Sequence, residues 1–180
     1  MGNGKMIESS EKLNTRAIEL ASGGYYSEAL ACLKRAIAID RNNYYLWYNL
    51  GITYRDAGDL ENACNALETA LTYNSTDSDI LDSLGLIYLS IGENECAYDI
   101  LTQAVETQEN NPKLWNDLGV VQFTLGMYEQ ASLSFEQAVK QFPHYYDALF
   151  NLRDTYQELG NKIGAEICNE KLKHITPPQN

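Results

Sequence analysis

The sequence predicts an all-α fold of five helix–turn–helix units in a row. Three observations predict it: a 34-residue period along the chain, helical spacing of large apolar residues inside each period, and a glycine at one fixed point between the two helices. Residues 46–63, LWYNLGITYRDAGDLENA, and residues 114–131, LWNDLGVVQFTLGMYEQA, keep Trp, Leu-Gly, Gly and Ala in the same order two periods apart. Stepping by 34 gives the column Gly24, Gly58, Gly92, Gly126, Gly160 and the column Ala29, Ala63, Ala97, Ala131, Ala165, without one insertion. Leu50, Leu84, Leu118 and Leu152 form a third, beside Gly51, Gly85 and Gly119, and Leu13, Trp47, Leu81, Trp115 and Leu149 a large apolar one.

Each element has a physical reason. Trp47, Leu50, Gly51 and Tyr54 stand at i, i+3, i+4 and i+7, one face of a first helix. Ala63, Leu67 and Ala70 repeat that spacing on a second helix. Gly58 falls between them, where a left-handed cap favours a residue without Cβ. Gly51 and Ala63 are small, which predicts that the two helices cross closely.

The pattern resembles the tetratricopeptide repeat family, whose unit is a helix–turn–helix of this length. The units span 10–43, 44–77, 78–111, 112–145 and 146–175 as a single repeat domain, with flexible tails at 1–9 and 176–180. The resemblance implies a right-handed superhelix, an α-solenoid with the first helices lining its concave side. The family's closing proline survives only as Pro143; Arg41, Ser75 and Glu109 stand in the corresponding places, so looser corners are expected there. The second-helix column Leu33, Leu67, Leu101, Phe135 is expected to pack on the following unit and ends in Asn169, which with Lys171 and Lys173 reads as a polar cap. At the other end Arg16 replaces the column leucine.

Composition narrows the function. A net charge of −12 and a pI near 4.5 argue against binding a nucleic-acid backbone or an anionic membrane surface. No stretch approaches the ~18–20 apolar residues of a membrane span. The first residues hold no secretory signal, and the myristoylation pattern at Gly2 fails at Met6. Cys32, Cys64, Cys96 and Cys168 form no CxxC pair and are expected to be small buried hydrophobes. They share no metal-ligand spacing with His144 or His174, so no metal or other cofactor is expected. A reducing, cytoplasmic setting follows. Gly-rich phosphate loops, GxSxG and HExxH are absent, and the chain is read as non-catalytic.

Function is expected on the face opposite the Trp–Leu–Gly–Tyr stripe. In the second unit that face carries Tyr45, Tyr48 and Asn49, and in the third Asp79 and Asp82. In the fourth it carries Lys113, Asn116, Asp117 and Phe123, and in the fifth Asp147, Phe150, Asn151 and Asp154. Of thirty such positions over the chain eight are acidic and two basic, an excess of six that is half the net charge. Ile18, Ile52, Leu86 and Val120 on the same helices are expected to seal one unit against the next. An acidic groove with aromatic anchors suits a protein or peptide segment bearing Lys or Arg and a few apolar side chains.

Two roles known in the family test against these residues. The clamp for chaperone C-terminal carboxylates needs Lys and Asn, then Asn, then Lys and Arg. The chain offers Asn14, Ile18, Asn49, Asp79, Ser83; Tyr48, Ile52, Ser83, Lys113, Asp117; or Asp82, Leu86, Asp117, Asp147, Asn151. None fits, so a heat-shock chaperone tail is not the partner. The asparagine ladder of the O-linked N-acetylglucosamine transferase superhelix is matched only by Asn49 and Asn151. The reading is therefore an adaptor or scaffold. The alternative is a self-associating or structural subunit of a larger assembly, such as a secretion, pilus or motility apparatus, using the Tyr25–Tyr26, Tyr44–Tyr45 and Tyr145–Tyr146 pairs.

Overall fold

The computed structural model describes residues 8–175, and the described residues form ten α-helices and no strand. These are α1 (Ser10–Ser22), α2 (Tyr26–Ile39), α3 (Tyr44–Asp56), α4 (Leu60–Tyr73), α5 (Ser78–Ile91), α6 (Asn94–Thr107), α7 (Pro112–Thr124), α8 (Tyr128–Gln141), α9 (Tyr146–Glu158) and α10 (Lys162–Leu172). The five first helices begin at the residues where the period starts each unit. Of the expected tails, residues 1–7, with Gly2 and Met6, and residues 176–180 lie outside the described residues. The chain divides into two compact units, one ending at Ile87 and one beginning at Tyr88, inside α5.

In the N-terminal unit short polar side chains start the helices. Ser9 accepts from the backbone N–H of Lys12 (3.3 Å), Asn43 from that of Tyr45 (3.2 Å) and Asp59 from that of Asn62 (3.2 Å). Gly58 turns α3 into α4 at φ 83°, a left-handed backbone that a Cβ disfavours. The turn is closed by Gly58 N–H to Arg55 C=O and Asp59 N–H to Tyr54 C=O, both 2.9 Å, which uses carbonyls the helix end leaves open. The core joins Leu13, Leu33, Leu46 and Leu50 to fully buried Ala29 and Ala36, with Trp47 and Tyr54 packed on it. The small residues do what their spacing predicts: a Cβ on Gly51 would stand 2.7 Å from Leu67 Cγ, and Ala63 is fully buried.

The C-terminal unit repeats the plan. Pro112 opens α7 behind an Asn111 cap, a position where the missing N–H has no helical partner to lose. Gly119 lies under Phe135, whose Cε1 would be 2.6 Å from an added Cβ. Phe135 also joins Leu149, Leu152 and Cys168 in one buried cluster. The column thus packs on the following unit as expected, Leu33 with Leu46 and Leu50 and Phe135 with Leu149 and Leu152, and Leu67 and Phe135 also lie against the glycine of their own unit's first helix.

Three expectations change. Two of the three corners lacking proline are tied: the indole N–H of Trp47 donates to the Arg41 carbonyl (2.8 Å) and that of Trp115 to the Glu109 carbonyl (2.7 Å). Gln141 Nε2 donates to the same Glu109 oxygen at 2.8 Å. Cys64 and Cys168 are buried, but Cys32 is half-buried and Cys96 exposed. The face of α10 holds exposed Asn169, Lys171 and Lys173 as a cap should, yet Ile163 (76% exposed) and Ile167 (53%) stand out beside them.

Candidate protein-binding faces of the first helices

In the C-terminal unit α7 and α9 present the outward positions. Lys113 Nζ lies 2.8 Å from Asp117 Oδ2 one turn along α7. The Asn116 amide donates to Asp117 Oδ1 (3.1 Å), and the Asn151 amide, from α9, donates to Asn116 Oδ1 (3.0 Å). Asn116 and Asp117 are buried, at 6% and 8% exposure. They form a polar tie between two first helices, and only Lys113 of that group is open; this corrects the expectation of an open lining. Buried amide and carboxylate groups must find such partners, because an unpaired one is costly.

On α9, Phe150 is exposed, with the Arg153 guanidinium 4.0 Å above its ring. Arg153 Nε and Nη2 both donate to Asp154 Oδ1, at 2.8 and 2.7 Å. Asp154 is therefore already paired, by a residue the sequence reading passed over because Arg153 sits beside the expected face. Asp147, in the first turn of α9, is exposed; a carboxylate there complements the helix N-terminus whatever else it does. A pocket of about 100 Å³ opens between α7, α8 and α9. Phe123, Val120 and Phe135 line it with Thr124, and Asn151 and Asp154 complete it. Phe123 meets Tyr128 edge-on at 5.1 Å between centroids. Val120 therefore faces a pocket, in addition to any sealing role. Phe135 could have been noticed as the one aromatic in its column, opposite a glycine.

In the N-terminal unit Tyr45 is 56% exposed and stacks on Tyr44 at 4.3 Å. The hydrogen bond with Tyr45, followed by burial, pushes the Tyr44 phenol up. Tyr48, Asn49 and Asp82 are half-buried, and Asp79 is exposed. The Asn49 amide donates to Asn14 Oδ1 at 2.8 Å, so each asparagine of the proposed ladder engages the preceding repeat. Ile18, expected as a seal, is 49% exposed. Among the tyrosine pairs, Tyr25 and Tyr45 stand out; Tyr145 packs on the core beside Phe142, and Tyr146 stacks on Phe150 at 6.3 Å.

The repeating geometry meets its counterpart in known proteins. Family models described as tetratricopeptide repeat match residues 44–77 and 112–145, and one described as TPR repeat matches residues 19–55, together more than half of the chain. The chain belongs to the tetratricopeptide repeat family. Two of the matched segments are the second and fourth units as the period delimits them. No curated protein matches the sequence. Among solved structures the chain is similar to a crystal structure of MamA, with 22% identity over 88% of this chain and 92% of that one and a TM-score of 0.83. A second MamA structure gives 21% identity, coverages of 91% and 89%, and a TM-score of 0.84. YrrB, described as a TPR protein with an unusual peptide-binding site, gives 25% identity, coverages of 94% and 88%, and a TM-score of 0.80. The fold is that of stacked TPR units, and a TPR chain of this kind is a protein–protein interaction scaffold. None of the described helices is long and apolar enough to cross a membrane.

Proposed function

We propose that the chain is a non-catalytic adaptor whose first helices hold a segment of another protein, seating one aliphatic side chain in the pocket beside Phe123. That pocket carries the reading: its apolar wall of Val120, Phe123 and Phe135 stands next to the polar ends of Asn151 and Asp154. About 100 Å³ suits a single side chain rather than a free metabolite, whose pockets run to roughly 300–1,000 Å³. Around it Phe150 offers an aromatic surface and Asp147 an exposed carboxylate; Asp79 does the same in the other unit. With a net charge of −12 on the chain, Lys or Arg beside the apolar anchor fits best. The peptide-binding description of YrrB supports a peptide ligand. Free thiols on all four cysteines agree with a cytoplasmic setting.

A photo-crosslinking side chain placed at Phe150 or Tyr45 tests this in lysate of the source cell. A protein crosslinked from those positions, released by salt and lost with Phe123→Ser, supports the adaptor reading. Crosslinks only to further copies of the chain support the second reading, self-association, which the exposure of Tyr25 (60%) and Tyr45 (56%) favours. Crosslinks from neither position would remove both.

A further inference from the structure

The 34-residue period is an internal standard for what a surface position carries when it only has to face water. On the second helices one exposed polar column breaks outright in the last unit, and a neighbouring one turns apolar over the last two units. Ser27, Glu61, Glu95 and Glu129 are followed by Ile163; Glu28, Asn62, Cys96 and Gln130 by Gly164; Ala31, Asn65, Asp99 and Leu133 by Ile167. All twelve predecessors are exposed, and both isoleucines remain exposed. Packing among the described residues therefore does not account for the two isoleucines. Gly164 does have a local effect: a Cβ there would stand 2.7 Å from the Tyr156 ring, so the glycine lets that ring lie against α10.

Beside this face is a cleft of about 430 Å³ between α8 and α10. Leu152 and Tyr156 of α9 line it with Val139 and Ile167, and Lys140 and Lys171 flank it. The one carboxylate in its wall, Glu136, accepts a 2.8 Å hydrogen bond from the Tyr156 hydroxyl. Lys140 and Lys171 are exposed and enter no ion pair among the described residues. Two lysines against one carboxylate around an apolar cleft are a local reversal in a chain of net charge −12.

We propose that this cleft is a second docking site, built by the second helices, for a partner segment that pairs an aliphatic side chain with Asp or Glu. The aliphatic group packs on Ile167, Val139 and Leu152, and the carboxylate meets Lys140 or Lys171. A second copy of the chain fits less well. Like copies repel at this net charge, and two isoleucines give far less than the ~800 Å² per partner of a stable interface. The site asks for charge opposite to that wanted by the first-helix face, so the two faces would hold different segments.

The test is selection of a random dodecapeptide display library on the immobilised protein, followed by titration of the enriched peptides. Variants are Ile163→Ser with Ile167→Ser, and Lys140→Glu with Lys171→Glu. All four side chains are exposed, and thermal melts confirm that each variant folds. The expected result is enrichment of peptides combining Leu, Ile or Phe with Asp or Glu, whose affinity falls at least about tenfold in both variants. Absence of enrichment, a basic consensus, or equal binding by wild type and variants overturns the proposal. So does concentration-dependent sedimentation abolished by the isoleucine variant, which would assign the face to a second copy.

Discussion

Asn151 donates its side-chain amide to Asn116 across a repeat boundary at 3.0 Å, and Asn49 donates to Asn14 in the equivalent places three repeats earlier at 2.8 Å. The following turn is shared too: Thr53 and Thr155 each donate to the carbonyl of that asparagine at 2.7 Å. One junction thus occurs twice in the chain. It combines apolar packing with a directional tie that fixes the axial register of neighbouring first helices.

Removing one member of the tie should cost more than its net hydrogen bond. Asn116 is buried, so Asn151→Ala leaves its carbonyl oxygen short of a donor, at about 1–3 kcal/mol. The companion variant Asn116→Ala and the double variant complete a cycle measured by urea unfolding. The double variant should be more stable than the sum of the single losses predicts; strict additivity would mean that the amides do not couple.

Gly119→Ala should destabilise despite the better helix propensity of alanine. Propensity favours the change by about 1 kcal/mol, but overpacking against Phe135, at 2.6 Å, costs about 1–3 kcal/mol. Ala63→Leu should act alike at the α3–α4 crossing, where Ala63 is fully buried. A Gly119→Ala protein melting at or above wild type would show that Phe135 moves aside freely.

Trp47→Phe keeps most of the ring and deletes the indole bond to the Arg41 carbonyl. The bond itself should be worth about 0.5–1.5 kcal/mol, and the corner around residues 40–43 should become easier to cleave in limited proteolysis. Trp115→Phe should open its corner less, because Gln141 still holds the Glu109 oxygen. Equal cleavage of both variants would count against that ranking.

Stability should fall on the alkaline side. Burial and then the hydrogen bond to Glu136 hold the Tyr156 phenol far above the ordinary tyrosine range, and burial pushes the Cys168 thiol up. Both groups are neutral when protonated, so a raised folded pKa stabilises fully below the unfolded pKa. That stabilisation is lost as pH rises from about 8.5 for the thiol and about 10 for the phenol toward the folded values. Denaturant midpoints followed with pH should drop in this window, and Tyr156→Phe should remove the upper part of the drop. Absorbance near 295 nm should show this tyrosine ionising only with unfolding.

Much of the fold was legible because its determinants are local and repeated. Gly58 and its column need a left-handed turn, Gly51 and Ala63 need close approach, and each unit restates both. What the helical wheel could not show is which outward positions the next repeat covers. Asn116 and Asp117 point away from their own core yet become buried once α9 supplies Asn151. Arg153 neutralises Asp154 from the next position in sequence, a pairing that depends on the guanidinium settling over Phe150. The corners at Arg41 and Glu109 looked loose for lack of proline, since an indole bond to a carbonyl six residues back leaves no periodic trace. Ile163 was in plain view, but it signifies only against its exposed polar predecessors.

The duplicated asparagine junction makes its two halves exchangeable. Joining residue 48 directly to residue 151 would excise three whole periods and set Asn14 opposite Asn151, with every glycine and alanine column still in phase. Genetic recombination can therefore shorten or lengthen such a chain in whole repeats while reusing a seam that already closes. Array length can then evolve independently of the side chains that choose a partner.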